Sequence, residues 1–147
     1  MKIMAVDYGA ARTGLAVCDR TEFLASPVGT IHERDIAKVI AHVANACVEY
    51  DVQEVVIGLP RNMDGSEGEK ALLCRQFAEN LQKLVDIPVT LWDERQTTMQ
   101  AAQYLNATNV RGKKRKAVID EVAATIILES YLAFRRSRAA APSSPEA

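Results

Sequence analysis

Apolar residues in the first third of the chain follow the short runs and alternations that are typical of β-strands. These patterns cover residues 2–8, 13–18 and about 25–31, with short turns between them. Strands this close together in sequence are expected to pair antiparallel, because parallel neighbours need a longer crossover connection. Pro27 cannot donate a hydrogen bond to a neighbouring strand, so the third strand is expected at an edge of the sheet.

Beyond residue 33 the apolar residues recur at spacings of three and four, which predicts amphipathic helices. Helices are predicted over residues 34–50, 67–84, about 97–105 and 117–136, and buried strands over residues 55–57 and 88–92. Ser66 is expected to cap the second helix, because its hydroxyl can accept a hydrogen bond from a first-turn amide. The order β-β-β-α-β-α-β-α-α predicts an α/β fold, in which a mixed five-stranded sheet (an antiparallel meander, then parallel strands) is flanked by helices.

A chain of 147 residues with 48% hydrophobic residues is expected to form one globular domain. We assign it to residues 1–138 and interpret residues 139–147, rich in alanine, proline and serine, as a disordered tail. No run approaches the roughly 20 apolar residues of a membrane helix, and the first nine residues are typical of a strand rather than a signal peptide. A cytoplasmic location is therefore expected. The three scattered cysteines favour buried reduced thiols over a disulfide framework or a zinc site.

Charge is distributed unevenly along the chain. The net charge is −1, yet residues 111–138 carry eight basic and three acidic residues, which leaves −6 for the remainder. Five of the six residues from Arg111 to Lys116 are basic, in a segment predicted as a loop. This asymmetry indicates a positive stripe beside an acidic site, and the alternative is a solvated charged loop.

Asp7 is the first candidate for chemistry, because it directly follows an apolar run at the end of the first strand. Carboxylates are rarely buried unless they are paired or bound to metal, and a strand end beside a glycine turn faces a cleft. The alternative is a turn residue that bonds the backbone of Gly9.

Two further acidic positions complete a possible cluster. Asp93 and Glu94 end the last strand, and parallel strands present their carboxyl ends to a common crevice. Side chains alternate along a strand, so only one of this pair can join Asp7. Alternatively, the pair forms a salt bridge with Arg95 or caps the next helix. Asp120 begins the last long helix, where it could also simply favour the helix dipole.

Three converging carboxylates would repel one another, which would raise their pKa values. Bound Mg²⁺ or Mn²⁺ removes this penalty, since oxygen ligands suit hard cations. Such ions can activate water and stabilise the leaving oxygen of a phosphodiester. Together with the basic segment, which would hold a polyanionic backbone, the acids form a pattern typical of a nuclease.

Four motifs in order resemble the YqgF family, also called RuvX. They are Asp7-Tyr8-Gly9-Ala10-Ala11-Arg12-Thr13-Gly14-Leu15-Ala16; Gly58-Leu59-Pro60 with Asp64-Gly65-Ser66-Glu67-Gly68; Asp93-Glu94-Arg95-Gln96-Thr97-Thr98; and Asp120-Glu121-Val122-Ala123-Ala124. The resemblance implies a ribonuclease-H-like fold related to Holliday-junction resolvases, and a nuclease that matures the 5′ end of precursor 16S ribosomal RNA in the bacterial cytoplasm. The family's acidic positions correspond to Asp7, Glu94 and Asp120.

Basic residues near these motifs are candidates for contact with nucleic acid. The candidates are Arg12, Arg95, Lys113, Lys114, Arg115 and Lys116. For Arg12 the alternative is an ordinary surface charge, and for Arg95 it is a salt bridge with Glu94. Trp92 could stack on a base, but core packing beside the sheet is the preferred interpretation.

Three functions remain open from the sequence. The leading hypothesis is a metal-dependent endonuclease on precursor rRNA. The second is a Holliday-junction resolvase acting on four-way DNA, which would need a dimer to make two symmetric cuts. The third is a non-catalytic RNA-binding assembly factor, with ribosomal particles as partners. The sequence leaves open whether the chain is a monomer or a homodimer.

Overall fold

The computed structural model describes the backbone of residues 1–94 and 112–140, and the side chains of residues 1–94 and 122–138. The elements are β1 (Ile3–Asp7), β2 (Arg12–Cys18), β3 (Ala25–His32), α1 (Ile36–Glu49), β4 (Glu54–Leu59), α2 (Glu69–Gln82), β5 (Val89–Asp93) and α3 (Gly112–Ala140). The predicted helix over residues 97–105 lies outside the described residues.

The five strands form one mixed sheet in the order β3-β2-β1-β4-β5. β1 pairs antiparallel with β2, and β2 with β3. β4 runs parallel to both β1 and β5. The predicted meander and parallel strands are confirmed, and β3, which contains Pro27, lies at an edge as predicted.

Helices cover both faces of this sheet. α1 and α2 pack on one face, where Met4 and Val6 of β1 are buried. α3 packs on the other face, against the alternate residues Ile3 and Ala5. Because both faces are covered, every residue of β4 is buried. Within the described segments, none of the helices has the length and apolar character needed to cross a membrane.

The start of α2 differs from the prediction. Its N-cap is Gly68, which makes no side-chain cap hydrogen bond. Ser66 lies two residues too early, and its hydroxyl donates to Asp64 Oδ1 at 2.6 Å and accepts from Asn62 Nδ2 at 2.9 Å. Ser66 therefore stabilises the loop before the helix, and the prediction that it caps α2 is wrong.

The basic segment differs as well. α3 begins at Gly112, so Lys113, Lys114, Arg115 and Lys116 lie on helical backbone and not in the predicted loop. Lysine and arginine are good helix formers, and the apolar pattern that placed the start at residue 117 cannot detect a polar first turn. The same helix includes residues 139 and 140, which the sequence composition places in the tail.

All three cysteines, Cys18, Cys47 and Cys74, are buried free thiols, as predicted. Burial raises the pKa of Cys47 to about 11 and that of Cys74 to about 12. Since the thiolate is the reactive form, these thiols serve packing rather than nucleophilic chemistry.

Gly9 allows the tight turn between β1 and β2. A Cβ at this position would lie 2.3 Å from the carbonyl oxygen of Arg12. We expect Gly9→Ala to lower the free energy of unfolding by about 1–3 kcal/mol, because the backbone of the turn must shift. Denaturant unfolding checks this. Gly68→Ala is the control, since its Cβ would meet no atom within 4 Å, and a loss no larger than the control's would contradict the prediction.

Candidate active site

Two of the predicted acids meet at one edge of the sheet. Asp7 ends β1, and Glu94 directly follows β5. Both strands lie parallel to β4 and flank it, so their carboxyl ends open at the same edge. The side chains of Asp7 and Glu94 are joined by a hydrogen bond. The structure therefore brings together two acids that lie far apart in sequence.

Gly58 of β4 makes room for Glu94. A Cβ on Gly58 would lie 2.8 Å from Glu94 Oε1 and 2.6 Å from Ile127 Cδ1 of α3. The Glu94 carboxyl group thus lies over the backbone of Gly58, in space that exists only because that residue has no side chain. In the sequence, Gly58 stands out only as part of the Gly58-Leu59-Pro60 motif. A glycine in a strand interior is itself the signal of a close approach.

Burial dominates the electrostatics of Glu94. It raises the pKa of Glu94 above its ordinary value of 4.5, and the nearby charge of Asp93 acts in the same direction. Lys70 and the hydrogen bond with Asp7 oppose this rise in pKa. Lys70 is exposed and lies in the first turn of α2, so it is a cation beside the acids that the sequence analysis missed.

The paired carboxyl groups suit a hard cation. A hydrogen bond between two carboxyl groups requires a proton between them, and a divalent ion would supply positive charge in its place. Asp7 and Glu94 provide two oxygen donors for such an ion. Among the described residues, no group of three His, Cys, Asp or Glu side chains is suitably placed to hold a metal. The side chain of Asp120, the third predicted acid, is not among those described.

The direction of α3 indicates that the backbone of Asp120 lies toward the edge of the sheet that carries Asp7 and Glu94. Tyr131 OH donates to Glu54, the first residue of β4, whereas Ile127 lies at Gly58 near the end of β4. α3 therefore runs antiparallel to β4, and its earlier residues lead toward the edge that carries Asp7 and Glu94. Asp120 precedes Ile127 by seven residues, or about 10 Å of helix.

The structure shows the positions of some, but not all, of the residues predicted to contact nucleic acid. Arg12 begins β2 and lies beside the β1–β2 turn, at the same edge as Asp7. Residues 113–116 lie on the helical backbone that precedes Asp120. Arg95 lies outside the described residues. Trp92 packs against the core beneath α3, and its indole donates to Ser130 Oγ at 3.2 Å, which confirms the packing interpretation.

The raised pKa of Glu94 predicts a specific pH dependence. Because the folded protein binds this proton more tightly than the unfolded chain, the stabilisation is complete below pH 4.5 and is lost as pH rises through the raised pKa. In EDTA, we expect the native protein to lose free energy of unfolding relative to Glu94→Gln as pH rises from 4.5 through the raised pKa. Denaturant titrations measure this difference, and parallel curves for the two proteins would contradict it.

The sheet order and the flanking helices define a ribonuclease-H-like fold with a pair of acids at the carboxyl edge of its parallel strands. The chain belongs to the RuvX family, described as a Holliday junction resolvase, whose model matches residues 1–134.

Relatives across bacteria match nearly the whole chain. A protein of Halothermothrix orenii named "Putative pre-16S rRNA nuclease" is 41% identical over 92% of this chain and 96% of its own length. One of Streptomyces avermitilis with the same name is 44% identical, over 95% of this chain and 90% of its own length.

Solved structures support the fold. Thermus thermophilus RuvC in complex with a Holliday junction substrate superposes with a TM-score of 0.62 at 12% identity, over 92% of this chain and 96% of that one. The fowlpox virus Holliday junction resolvase gives a TM-score of 0.51 at 16% identity, over 91% of this chain and 99% of that one. At these identities the likeness concerns the fold alone.

Proposed function

We propose that this protein is a metal-dependent endonuclease that processes the 5′ end of precursor 16S rRNA in the cytoplasm, in association with ribosomal particles. The hydrogen-bonded pair of Asp7 and Glu94 carries the proposal, because paired carboxyl groups at a strand-end crevice are suited to bind Mg²⁺ or Mn²⁺. The names of relatives that match nearly the whole chain support the choice of RNA.

The side chains have distinct roles in this proposal. Asp7 and Glu94 bind the metal, with Asp120 as a third ligand from α3. When bound, the ion supplies an activated water and stabilises the leaving oxygen of the phosphodiester. Lys70, whose charge acts on Glu94, attracts the scissile phosphate to the acids.

Basic residues around the edge hold the rest of the polyanion. Arg12 beside the β1–β2 turn is proposed to contact a phosphate close to the cut. Arg95 and Lys113, Lys114, Arg115 and Lys116 are proposed to contact backbone phosphates farther along the strand.

A second candidate is a resolvase that acts on four-way DNA, which the description of the family model favours. Two symmetric cuts need two active sites, so this activity requires a dimer. Sedimentation at the protein concentration used for cleavage separates the candidates further, because a strictly monomeric active species excludes symmetric resolution.

The deciding experiment compares two substrates in Mg²⁺ and in Mn²⁺: the precursor 16S rRNA 5′ flank and a DNA four-way junction. We expect cleavage of the rRNA flank that depends on the metal and stops in EDTA. Preferential cutting of the junction would favour the resolvase. If neither substrate is cut in either metal, the proposed catalytic function is refuted and the non-catalytic assembly role is favoured.

A further inference from the structure

The last turns of α3 carry a concentrated positive charge. Arg135, Arg136 and Arg138 fall within four residues. Among the described residues, Arg135 alone of these three pairs with carboxylates: it binds Glu22 at 2.8 Å and lies 3.7 Å from Glu54. The guanidinium groups of Arg136 and Arg138 lie over aromatic rings, and Arg136 also donates one hydrogen bond to the carbonyl oxygen of Glu22 at 3.0 Å.

Two exposed phenylalanines lie beneath these guanidinium groups. Arg138 lies 5.5 Å from the ring centroid of Phe134, which is 41% exposed. Arg136 lies 5.2 Å from the ring centroid of Phe23, which is 72% exposed in the β2–β3 turn. We call these four residues the aromatic–arginine face. The pairing leaves large ring surfaces and charged N–H groups side by side at the protein surface.

Rigid packing supports the Phe134 ring from below. Trp92 contacts it with ring centroids 5.2 Å apart, and Tyr131 lies 6.4 Å away in a stacked orientation. A shallow cleft lined by Tyr131, Phe134, Arg135 and Arg138 opens beside the ring. Phe134 is therefore a preorganised platform rather than a loose surface side chain.

The chemistry of the face matches a single-stranded polynucleotide. Such polymers bind where aromatic rings stack on bases and arginines contact phosphates, and every base offers a ring face. The face lies toward the opposite edge of the sheet from Asp7 and Glu94, since Glu22 beside Phe23 binds the N-terminus that precedes β1. Trp92, which packs against Phe134 and precedes Glu94 by two residues, lies between the face and the candidate active site. A single strand bound at Asp7 and Glu94 would extend roughly 15 Å along the α3 side of the sheet to reach this face, a span that a few nucleotides cover.

We propose that the aromatic–arginine face binds the single-stranded RNA that flanks the cleavage site. The choice of RNA rests on the function proposed above. Phe134 stacks on a base of the flank, Arg138 and Arg136 contact its phosphates, and Phe23 provides a second stacking position. The aromatic–arginine face lies on the α3 side of the sheet. Binding there adds contacts with RNA beyond those at the edge that carries Asp7 and Glu94.

The test measures binding of a fluorescent, unstructured oligoribonucleotide of about 16 nucleotides by anisotropy in EDTA. We expect Phe134→Leu to weaken binding by about tenfold and Phe134→Tyr to keep it within about twofold, because tyrosine retains the stacking ring. Arg138→Gln is expected to weaken binding and to lower the slope of log affinity against log salt by about 0.7.

Matched controls lie on the other face of the sheet. Val48→Ala removes part of a side chain that is 82% exposed, and Lys38→Gln removes one exposed positive charge, both on α1. We expect neither control to change affinity by more than about twofold, because a single surface charge outside the binding face contributes little. The free energy of unfolding of each variant verifies that the variant is folded. Because Arg138 is exposed, Arg138→Gln tests the face without changing the packed aromatic rings.

Three results would overturn the proposal. The first is native affinity for RNA in both Phe134→Leu and Arg138→Gln. The second is dissociation of a dimer by Phe134→Leu with RNA affinity unchanged, which would make the face an interface between copies. The third is tighter binding of a duplex than of single strands. Because binding is measured without metal, loss of the proposed nuclease activity is distinguishable from loss of this face.

Discussion

Asp7→Asn is expected to reduce metal-dependent cleavage of the precursor rRNA flank by about 10²–10³-fold, since a bound ion contributes several kcal/mol to catalysis. An amide keeps the size of the side chain and one oxygen, but it cannot supply the negative charge that holds a divalent ion. The free energy of unfolding should change little. Single-turnover cleavage with saturating enzyme measures the effect on the chemical step.

The matched control is Asp51→Asn. Asp51 precedes β4 at the opposite edge of the sheet and has a positive φ of 54°, a conformation that asparagine tolerates. This variant removes the same charge far from Glu94 and should cut like the native protein. Undiminished cleavage by Asp7→Asn would contradict the metal-dependent mechanism. Full restoration of rRNA processing by Asp7→Asn in cells that lack the native protein would favour the assembly role.

Gly58→Ala is expected to impair cleavage although Gly58 carries no functional group. The added Cβ would lie 2.9 Å from Glu94 Cγ and 2.6 Å from Ile127 Cδ1, so the Glu94 side chain must move away from its position beside Asp7. We expect at least a tenfold loss of cleavage at subsaturating Mg²⁺, partly restored at high Mg²⁺, with about 1–3 kcal/mol lost in unfolding free energy. A titration of cleavage rate against Mg²⁺ checks this.

Ile127→Val offers a matched control for packing at the same place. It removes the Cδ1 atom that the new Cβ would approach, at a cost of about 0.5–1.5 kcal/mol, and leaves Glu94 in position. Its Mg²⁺ dependence should therefore remain native. A shift in Mg²⁺ dependence as large as that of Gly58→Ala would mean that loss of packing, and not displacement of Glu94, causes the effect.

The β-strands show which features of this fold can be predicted from residues that are neighbours in the sequence. Alternation and chain spacing predicted the meander, and Pro27 predicted the edge position of β3. The strand ends pointed to Asp7 and to one of Asp93 and Glu94, of which the family resemblance selected Glu94. The meander and the edge position of β3 are confirmed, because hydrogen-bonding geometry and the two-residue period of a strand are local properties. The start of α3 and the cap of α2 were wrong, because polar helical turns and competing turn hydrogen bonds leave no apolar signature.

By itself, the sequence determined the order of the described elements and the family, and it singled out Asp7 and Glu94 as candidate acids, because each of these depends on residues that are neighbours along the chain. Only the tertiary structure decided that Glu94 lies over Gly58, that Lys70 acts on its charge, and that Phe134 and Phe23 share one surface with two arginines. These relations join β4, β5, the β2–β3 turn and opposite ends of the chain. They depend on how strands and helices pack in space, which the spacing of residues along the chain does not specify.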